Sequence, residues 1–221
     1  MTAEIAGSAP TADPAGMTPP TPLELRRAMG AFASGVTVIT GMDGGEPVGF
    51  ACQAFASVSL EPPLILFCAD RGGRTWPKIR RSGRFTVNVL GEDQGDLRDR
   101  FGSGGGRRYE DLEWDLSRWG TPALPGVLLH VHAEVDTVHT AGDHDMVIGR
   151  VLEVRPGSAR RPMIFFRGRF GVDSEPPAAL GEAPPLSLGP GRLLNRGTPS
   201  TREGDSHRPG VNFPHLCGEG E

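Results

Sequence analysis

Three stretches of this sequence carry residue types and spacings that could do chemistry. Gly142-Asp143-His144 lies between two long segments, where a loop can present a side chain to a ligand. A histidine there can donate a hydrogen bond to a carboxamide or a phosphate. A plain turn with an Asx-type bond from Asp143 accounts for the same residues. The second stretch, Arg71 to Arg84, holds six basic residues (Arg71, Arg74, Lys78, Arg80, Arg81, Arg84) together with Thr75. These can grip phosphate through charge-assisted hydrogen bonds, or they can form a solvated helix face. In the third, Gly49 to Pro63 (GFACQAFASVSLEPP), small and large residues alternate before a double proline. Small side chains let a flat ring system approach the backbone, whose N–H and C=O groups then read its edge. Ser57 and Ser59 add hydroxyls. A barrel strand packed tightly on its neighbour has the same pattern.

The histidines His130 and His132 alternate onto one strand face, with His139 and His144 near a turn. Two imidazoles spaced this way can share a metal ion. Glu134 follows His132 by only two residues, closer than a cupin-type site needs, and a solvated strand face explains the spacing equally well. Several common motifs are absent: GxGxxG between strand and helix, GxxxxGK[ST], GxSxG and HExxH. Gly102 to Gly106 resembles a phosphate loop in composition alone and reads as a surface loop.

The elements that must position these residues are mostly short strands. Thr21-Pro22-Leu23-Glu24 is a capping box with proline at the first helical position. Leu25, Met29 and Phe32 then recur as an apolar stripe on a short helix that Gly35 ends. Val36 to Thr40 is β-branched throughout, and Met42-Asp43-Gly44-Gly45 reads as a hairpin turn. Strands are expected in Pro47–Leu60, Leu64–Cys68 and Phe85–Leu90, with short helices over Thr75–Arg81 and Glu92–Phe101. In Val127–His139, Leu129, Val131, Ala133 and Val135 fall on one face, and His130, His132, Glu134 and Asp136 on the other. Ala141-Gly142-Asp143 turns the chain, Met146–Val154 returns, and Met163–Phe170 is expected to close the sheet. The pattern predicts a mainly β, antiparallel barrel with a few short flanking helices rather than βαβ units.

The chain has 221 residues, of which 32 are glycine and 21 proline. The excess is uneven. Residues 175–221 hold 8 Gly and 8 Pro with Phe213 as their only aromatic, while residues 23–174 carry 13 of the 14 aromatics. This predicts a disordered N-terminal tail over 1–20, one folded domain over 21–174, and a disordered Gly/Pro-rich tail over 175–221. The net charge of −4 argues against a nucleic-acid partner. Three cysteines without a CxxC pair fit a reducing cytoplasm. No basic leader or apolar span is present, so a cytoplasmic protein with no membrane association is expected.

Taken together, the stretches GAFASGVTVIT (30–40), VGFACQAFASVSLEPPLILFC (48–68), SGRFTVNVL (82–90), the Phe101-Gly102 step, GDH (142–144) with IGRV (148–151), and PMIFFRGRF (162–170) resemble the flavin reductase-like family on the FMN-binding split barrel. These are the small NAD(P)H:flavin reductase components of two-component monooxygenases. SVSLEPPL and GDH are the specific elements, and GFACQAF is similar to reductases paired with aromatic-ring or steroid hydroxylases.

The resemblance implies roles. Ala51, Cys52, Gln53, Ala54, Phe55, Ser57, Ser59 and Leu60 should line the isoalloxazine and ribityl chain, with Gln53, Ser57 and Ser59 hydrogen-bonding. Arg74 and Thr75 should sit by the flavin phosphate. Phe101 and Ser103 should lie where the cofactor site closes, and Arg169 and Phe170 near the pocket. His144, with Asp143 beside it, should contact the nicotinamide or the dinucleotide as the residue nearest the chemistry. The family often has Thr-x-Asn where this chain has Ala51-Cys52-Gln53, which leaves FMN or FAD open. NADH or NADPH is the expected co-substrate, flavin is non-covalent, and no metal is expected. A homodimer is implied, as is a partner flavin-dependent oxygenase reached by diffusing reduced flavin. The alternatives are a non-catalytic flavin or haem binder on the same barrel, and a cupin-type metal enzyme using His130, His132 and His144.

Overall fold

A computed structural model of the chain describes residues 19–103, 108–159 and 161–171. The expected tails over 1–20 and 175–221 fall outside these residues, except for Pro19 and Pro20, and so does most of the Gly102–Gly106 loop. The elements in chain order are α1 (Pro22–Met29), β1 (Ser34–Gly35), β2 (Thr37–Asp43), β3 (Glu46–Cys52), β4 (Phe55–Leu60), β5 (Pro63–Asp70), α2 (Trp76–Ser82), β6 (Arg84–Val89), α3 (Gly95–Gly102), β7 (Asp115–Leu116), β8 (Pro122–Ala123), β9 (Leu129–Ala141), β10 (His144–Pro156), β11 (Ile164–Phe166) and β12 (Arg169–Phe170). The protein is mainly β, and every strand pair is antiparallel.

Seven strands form one sheet in the order β3-β2-β6-β9-β10-β5-β4. The β2–β3 hairpin turns at Gly44 and Gly45, whose φ values of 60° and 95° suit glycine and match the turn expected there. Because side chains alternate across a strand, β2 and β3 feed two cores. One holds Ile39, Phe50, Cys52, Phe67, Phe85, Val87, Val131 and Val147, with Trp76 and Ile79 of α2. Phe50, on the edge strand β3, lies 6.1 Å from Phe67 of β5, near the opposite edge. The sheet therefore curls until side chains from its two ends meet. Phe67 also makes edge contacts to Phe85 at 5.1 Å and Trp76 at 5.6 Å, each worth about 0.5–1.5 kcal/mol beyond burial. On the sheet's other face, Val36, Val38, Ala51, Leu90, Phe101, Leu124, Val127 and Met163 form the second core.

Three expectations change. The capping box at Thr21 and Glu24 forms as read, but Leu25, Met29 and Phe32 are 52%, 57% and 71% exposed, and α1 buries no residue of its own. An apolar stripe specifies a face that needs a cover without saying that this chain supplies it. The Met163–Phe170 segment does not close the large sheet: β11 and β12 pair with β1 in a separate three-stranded sheet. His132 does not lie on a solvated face. It is 1% exposed, because the 115–124 segment covers the face of β9 opposite Val131. There Thr86 Oγ1 meets Thr121 Oγ1 at 2.6 Å and His132 Nδ1 at 2.9 Å, and Thr121 meets Ser117 at 2.9 Å. Asn88 continues this polar line, donating to Val38 O and Thr40 Oγ1 and accepting from Leu124 N–H. A buried polar group is tolerated when bonded in this way.

Candidate functional site

The GDH loop is the β9–β10 turn. Gly142 has φ 64°, the left-handed conformation that makes the turn tight. β10 pairs with β5 so that His144 faces Asp70, and Arg71 N–H donates to Asp143 O at 3.0 Å. The loop is thereby pinned to the start of the basic 71–84 stretch. Asp143 uses its carboxylate on the neighbouring ring: His144 Nδ1 lies 2.7 Å from Asp143 Oδ1. That bond holds the Asp143 carboxyl below the usual range. With Nδ1–H donated to Asp143, the neutral imidazole presents Nε2 as an acceptor, not the donor expected from sequence. His144 Nε2 can therefore take a hydrogen bond from a carboxamide NH₂, and it becomes a donor only when the ring is protonated.

Beneath the loop sits a carboxylate that no sequence pattern singles out. Asp145 is 6% exposed. Its Oδ2 accepts from Trp76 Nε1 at 2.9 Å and its Oδ1 from Thr140 Oγ1 at 3.3 Å. Arg71 and Arg80 approach it to 3.7 Å. Part of the basic cluster thus faces a carboxylate of this chain from the surface, joining α2 to the GDH loop.

The 51–60 stretch divides sharply. Ala51 and Cys52 are buried in opposite cores, and Cys52 O accepts from Thr37 Oγ1 at 2.7 Å. Burial also pushes the thiol of Cys68 up, so that thiol stays protonated and inert. Between β3 and β4 the chain crosses over: Phe55 N–H donates to Gln53 O, and Cys68 N–H to Ala54 O. Gln53 Nε2 is buried with no hydrogen-bond partner among the described residues. A donor left in that state costs about 1–3 kcal/mol unless something accepts from it, so this position fits a ligand carbonyl. Gln53, Ala54 and Phe55 are half-buried. Along β4, Ser57 is exposed, Ser59 half-buried and Leu60 91% exposed. A bulge between Ser57 and Ser59 breaks the register against β5. Among the described residues β4 pairs only with β5, so this stretch forms an open edge.

At the phosphate end, Arg74 is exposed and Thr75 buried at the start of α2. The Thr75 hydroxyl does not cap the helix; it accepts from Arg108 Nη1 at 2.9 Å. Arg108 was not singled out in the sequence, where it is one of two adjacent arginines after a glycine run. It is 9% exposed. Its guanidinium also donates to Gly49 O at 2.7 Å and Ser103 O at 2.9 Å. Gly49 has no room for a side chain: a Cβ would lie 2.9 Å from Ile39 O and 3.0 Å from both the Phe101 ring and the Tyr109 hydroxyl.

Other candidates take structural places. Phe101 is 1% exposed and packs edge-on against Tyr109 at 5.2 Å. Its ring supports the back of β3, while Ser103 is exposed. Phe170 lies half-buried on Phe165, with Arg98 4.2 Å above its ring, against the core that holds Ala51 and Phe101. Arg169 is exposed. His130 Nε2 bonds to Leu124 O at 2.8 Å, and its ring stacks on His132. Burial lowers the pKa of His132 below the ordinary histidine value. Among the described residues no group of three or more His, Cys, Asp or Glu is placed to hold a metal ion, and no helix is long and apolar enough to cross a membrane.

The chain is similar in sequence and in fold to known proteins. The family model of the flavin reductase like domain matches residues 29–172. The chain is 45% identical over 155 residues to the reductase subunit HsaB of a flavin-dependent monooxygenase from Rhodococcus jostii (strain RHA1), covering 70% of this chain and 80% of that one. It is 38% identical over 148 residues to the FMN reductase (NADH) SmoA of Agrobacterium fabrum (strain C58 / ATCC 33970), covering 66% and 83%. Among solved structures, it is similar to nitrilotriacetate monooxygenase component B from Mycobacterium thermoresistibile. The TM-score is 0.65 at 40% identity, covering 72% of this chain and 91% of that one.

Proposed function

Because the chain belongs to the flavin reductase-like family, we propose that it transfers reducing equivalents from NADH or NADPH to FMN or FAD and releases reduced flavin to a partner monooxygenase. The observation that carries this reading is the convergence of the GDH loop on the 71–75 segment, through Arg71 N–H to Asp143 O at 3.0 Å. That contact supports reading His144 as facing the nicotinamide beside a turn that holds phosphate. When bound, the flavin and nicotinamide supply the hydride chemistry themselves, so alignment and exclusion of water fall to the protein.

In this reading the chain's own residues bind and orient. His144 Nε2 accepts from the carboxamide, with Asp143 fixing the ring. Gln53 Nε2 donates to a ring carbonyl, and Ser57 and Ser59 hold the polar edge along β4. Arg74 and Thr75 receive the phosphate. Ala51, Cys52 and Phe101 shape the wall from behind, Ala54, Phe55 and Leu60 line it, and Ser103, Arg169 and Phe170 stand at its margin. The curled sheet is read as a closed split barrel. The open β4 edge, with Val58 and Leu60 exposed, supports a homodimer in which a second copy covers the flavin. NADH is the favoured donor, as in the name of SmoA, and the cytoplasm is the favoured compartment.

The deciding experiment mixes purified protein with NADH or NADPH and with free FMN or FAD in air. Flavin-dependent loss of the reduced-nicotinamide absorbance is expected. A protein that binds flavin yet leaves NADH and NADPH intact would be a carrier rather than a reductase, and this result would overturn the proposal.

A further inference from the structure

Arg71 stands where the GDH loop meets the basic stretch, and the roles given above leave it without a ligand. Its backbone is fixed. Asp70 is the Cα partner of His144, so Arg71 directly follows the residue that pairs with the histidine. Its own N–H donates to Asp143 O at 3.0 Å. The side chain is held from beneath. Nη1 donates to Gly142 O at 3.4 Å, and Nε stands 3.7 Å from Asp145 Oδ1. Asp145 is itself buried and bonded to Trp76 and Thr140, so the arginine faces a fixed carboxylate.

The donor count leaves a vacancy. A guanidinium has five N–H donors and no acceptor. One Nη1 donor is used on Gly142 O and the Nε donor faces Asp145, which leaves three, all on the Nη atoms. Among the described residues the Arg71 side chain has no other partner, and it is 53% exposed. Two neighbouring carboxylates are engaged elsewhere: Asp143 Oδ1 with His144 Nδ1, and Asp70 Oδ1 with Gly72 N–H at 2.7 Å. Adjacent guanidinium donors, open to solvent and held in place, suit a phosphate, which they can grip through two parallel charge-assisted bonds.

We infer that Arg71 holds the phosphate that lies one ribose away from the nicotinamide in NADH or NADPH, while His144 meets the carboxamide. One turn then reads both ends of the nicotinamide nucleotide, because the 142–144 loop and Arg71 are bonded to each other. The assignment rests on the flavin reductase reading given above and adds a substrate contact that is separate from the flavin.

The test compares three hydride donors at saturating FMN: NADH, reduced nicotinamide mononucleotide, and dihydronicotinamide riboside, which lacks the phosphate. The readout is kcat/KM, or the inhibition constant against NADH for a donor that does not turn over. Arg71→Gln should weaken NADH and the mononucleotide at least tenfold and the riboside less than twofold, with the KM for FMN changed less than twofold. Arg71→Lys, which keeps the charge and loses the fork, should recover part of the loss. If Arg71→Gln fails to fold, Arg71→Lys carries the test, with a loss of at least threefold for the two phosphorylated donors and less than twofold for the riboside. Equal losses for all three donors would overturn the assignment and leave Arg71 a brace for the GDH loop. Losses below twofold for NADH would overturn it as well. Wild type that oxidises none of the donors would instead overturn the reading on which the inference stands.

Discussion

Replacing Trp76 with phenylalanine removes one hydrogen-bond donor and little volume. The ring keeps its edge contact with Phe67, but Asp145 Oδ2 loses the 2.9 Å bond from Nε1. A hydrogen bond to a charged group is worth about 1.5–3 kcal/mol net. The remaining partners offset little. Arg71 and Arg80 stand 3.7 Å away with side chains 53% and 58% exposed, and such pairs contribute about 0–1 kcal/mol each. The converse change, Asp145→Ala, leaves the Trp76 N–H without its acceptor at a site only 3% exposed. That costs about 1–3 kcal/mol. The coupling between the two changes should therefore be about 1.5–3 kcal/mol in a double-mutant cycle. Urea unfolding of the four proteins at a common slope measures it. Coupling below about 0.5 kcal/mol, the level of independent sites, would refute the argument. A functional counterpart follows, because Arg71 also donates to Asp143 O through its N–H and to Gly142 O through Nη1 at 3.4 Å. Asp145→Asn should raise the KM for the reduced nicotinamide more than the KM for flavin.

Three further outcomes are expected. His144→Ala should raise the KM for NADH at least severalfold more than the KM for flavin, and equal effects in steady-state assays would mark it as a turn residue only. Gly149→Ala should destabilise by about 1–3 kcal/mol, because a Cβ there would lie 2.5 Å from the buried Phe85 ring; Phe85→Leu in the same chain should recover part of the loss in denaturant titrations. His132, whose pKa burial depresses, binds fewer protons folded than unfolded below about pH 6.5. Its contribution is therefore complete above that pH and is lost as the pH falls toward the depressed value. Between pH 7 and 5 the melting temperature of His132→Gln should fall less than that of wild type, and parallel curves would refute this.

What was legible in the sequence was local. The capping box at Thr21, the Gly44-Gly45 turn, the Gly142 turn and most strands are set by neighbours a few residues apart, and they appear where the pattern put them. What depended on distant packing was not legible. His132 looked solvated because its alternation with Val131 said nothing about the 115–124 segment lying over it. The α1 stripe was legible as a stripe but its exposure was not, because periodicity reports amphipathicity and not the identity of the cover. Met163–Phe170 has a strand composition, but nothing in it chose between the large sheet and β1. In the site, the GDH and SVSLEPPL motifs were visible as motifs. Asp145, Trp76 and Arg108 were not, since their importance comes from hydrogen bonds across 69, 33 and 59 residues of chain.

The division between what touches a ligand and what supports it bears on how such a protein could let its flavin go. The residues proposed to touch flavin or nicotinamide are largely at the surface: Ser57, Leu60 and Arg74 are exposed, and Gln53, Ser59 and His144 half-buried. Thr75, also proposed to touch the ligand, is buried, as are the groups that hold the others: Trp76, Arg108 and Asp145. Tight binding would require the ligand itself to be enclosed. A cradle that is open within one chain, and closed only by the second copy proposed above, gives a different balance, because the geometry is fixed before the ligand arrives while one chain alone covers little apolar area. Orientation for hydride transfer is then retained and affinity stays modest. A reductase that delivers reduced flavin to another enzyme needs that combination, and rigidity supplied from beneath the site allows both in one small domain.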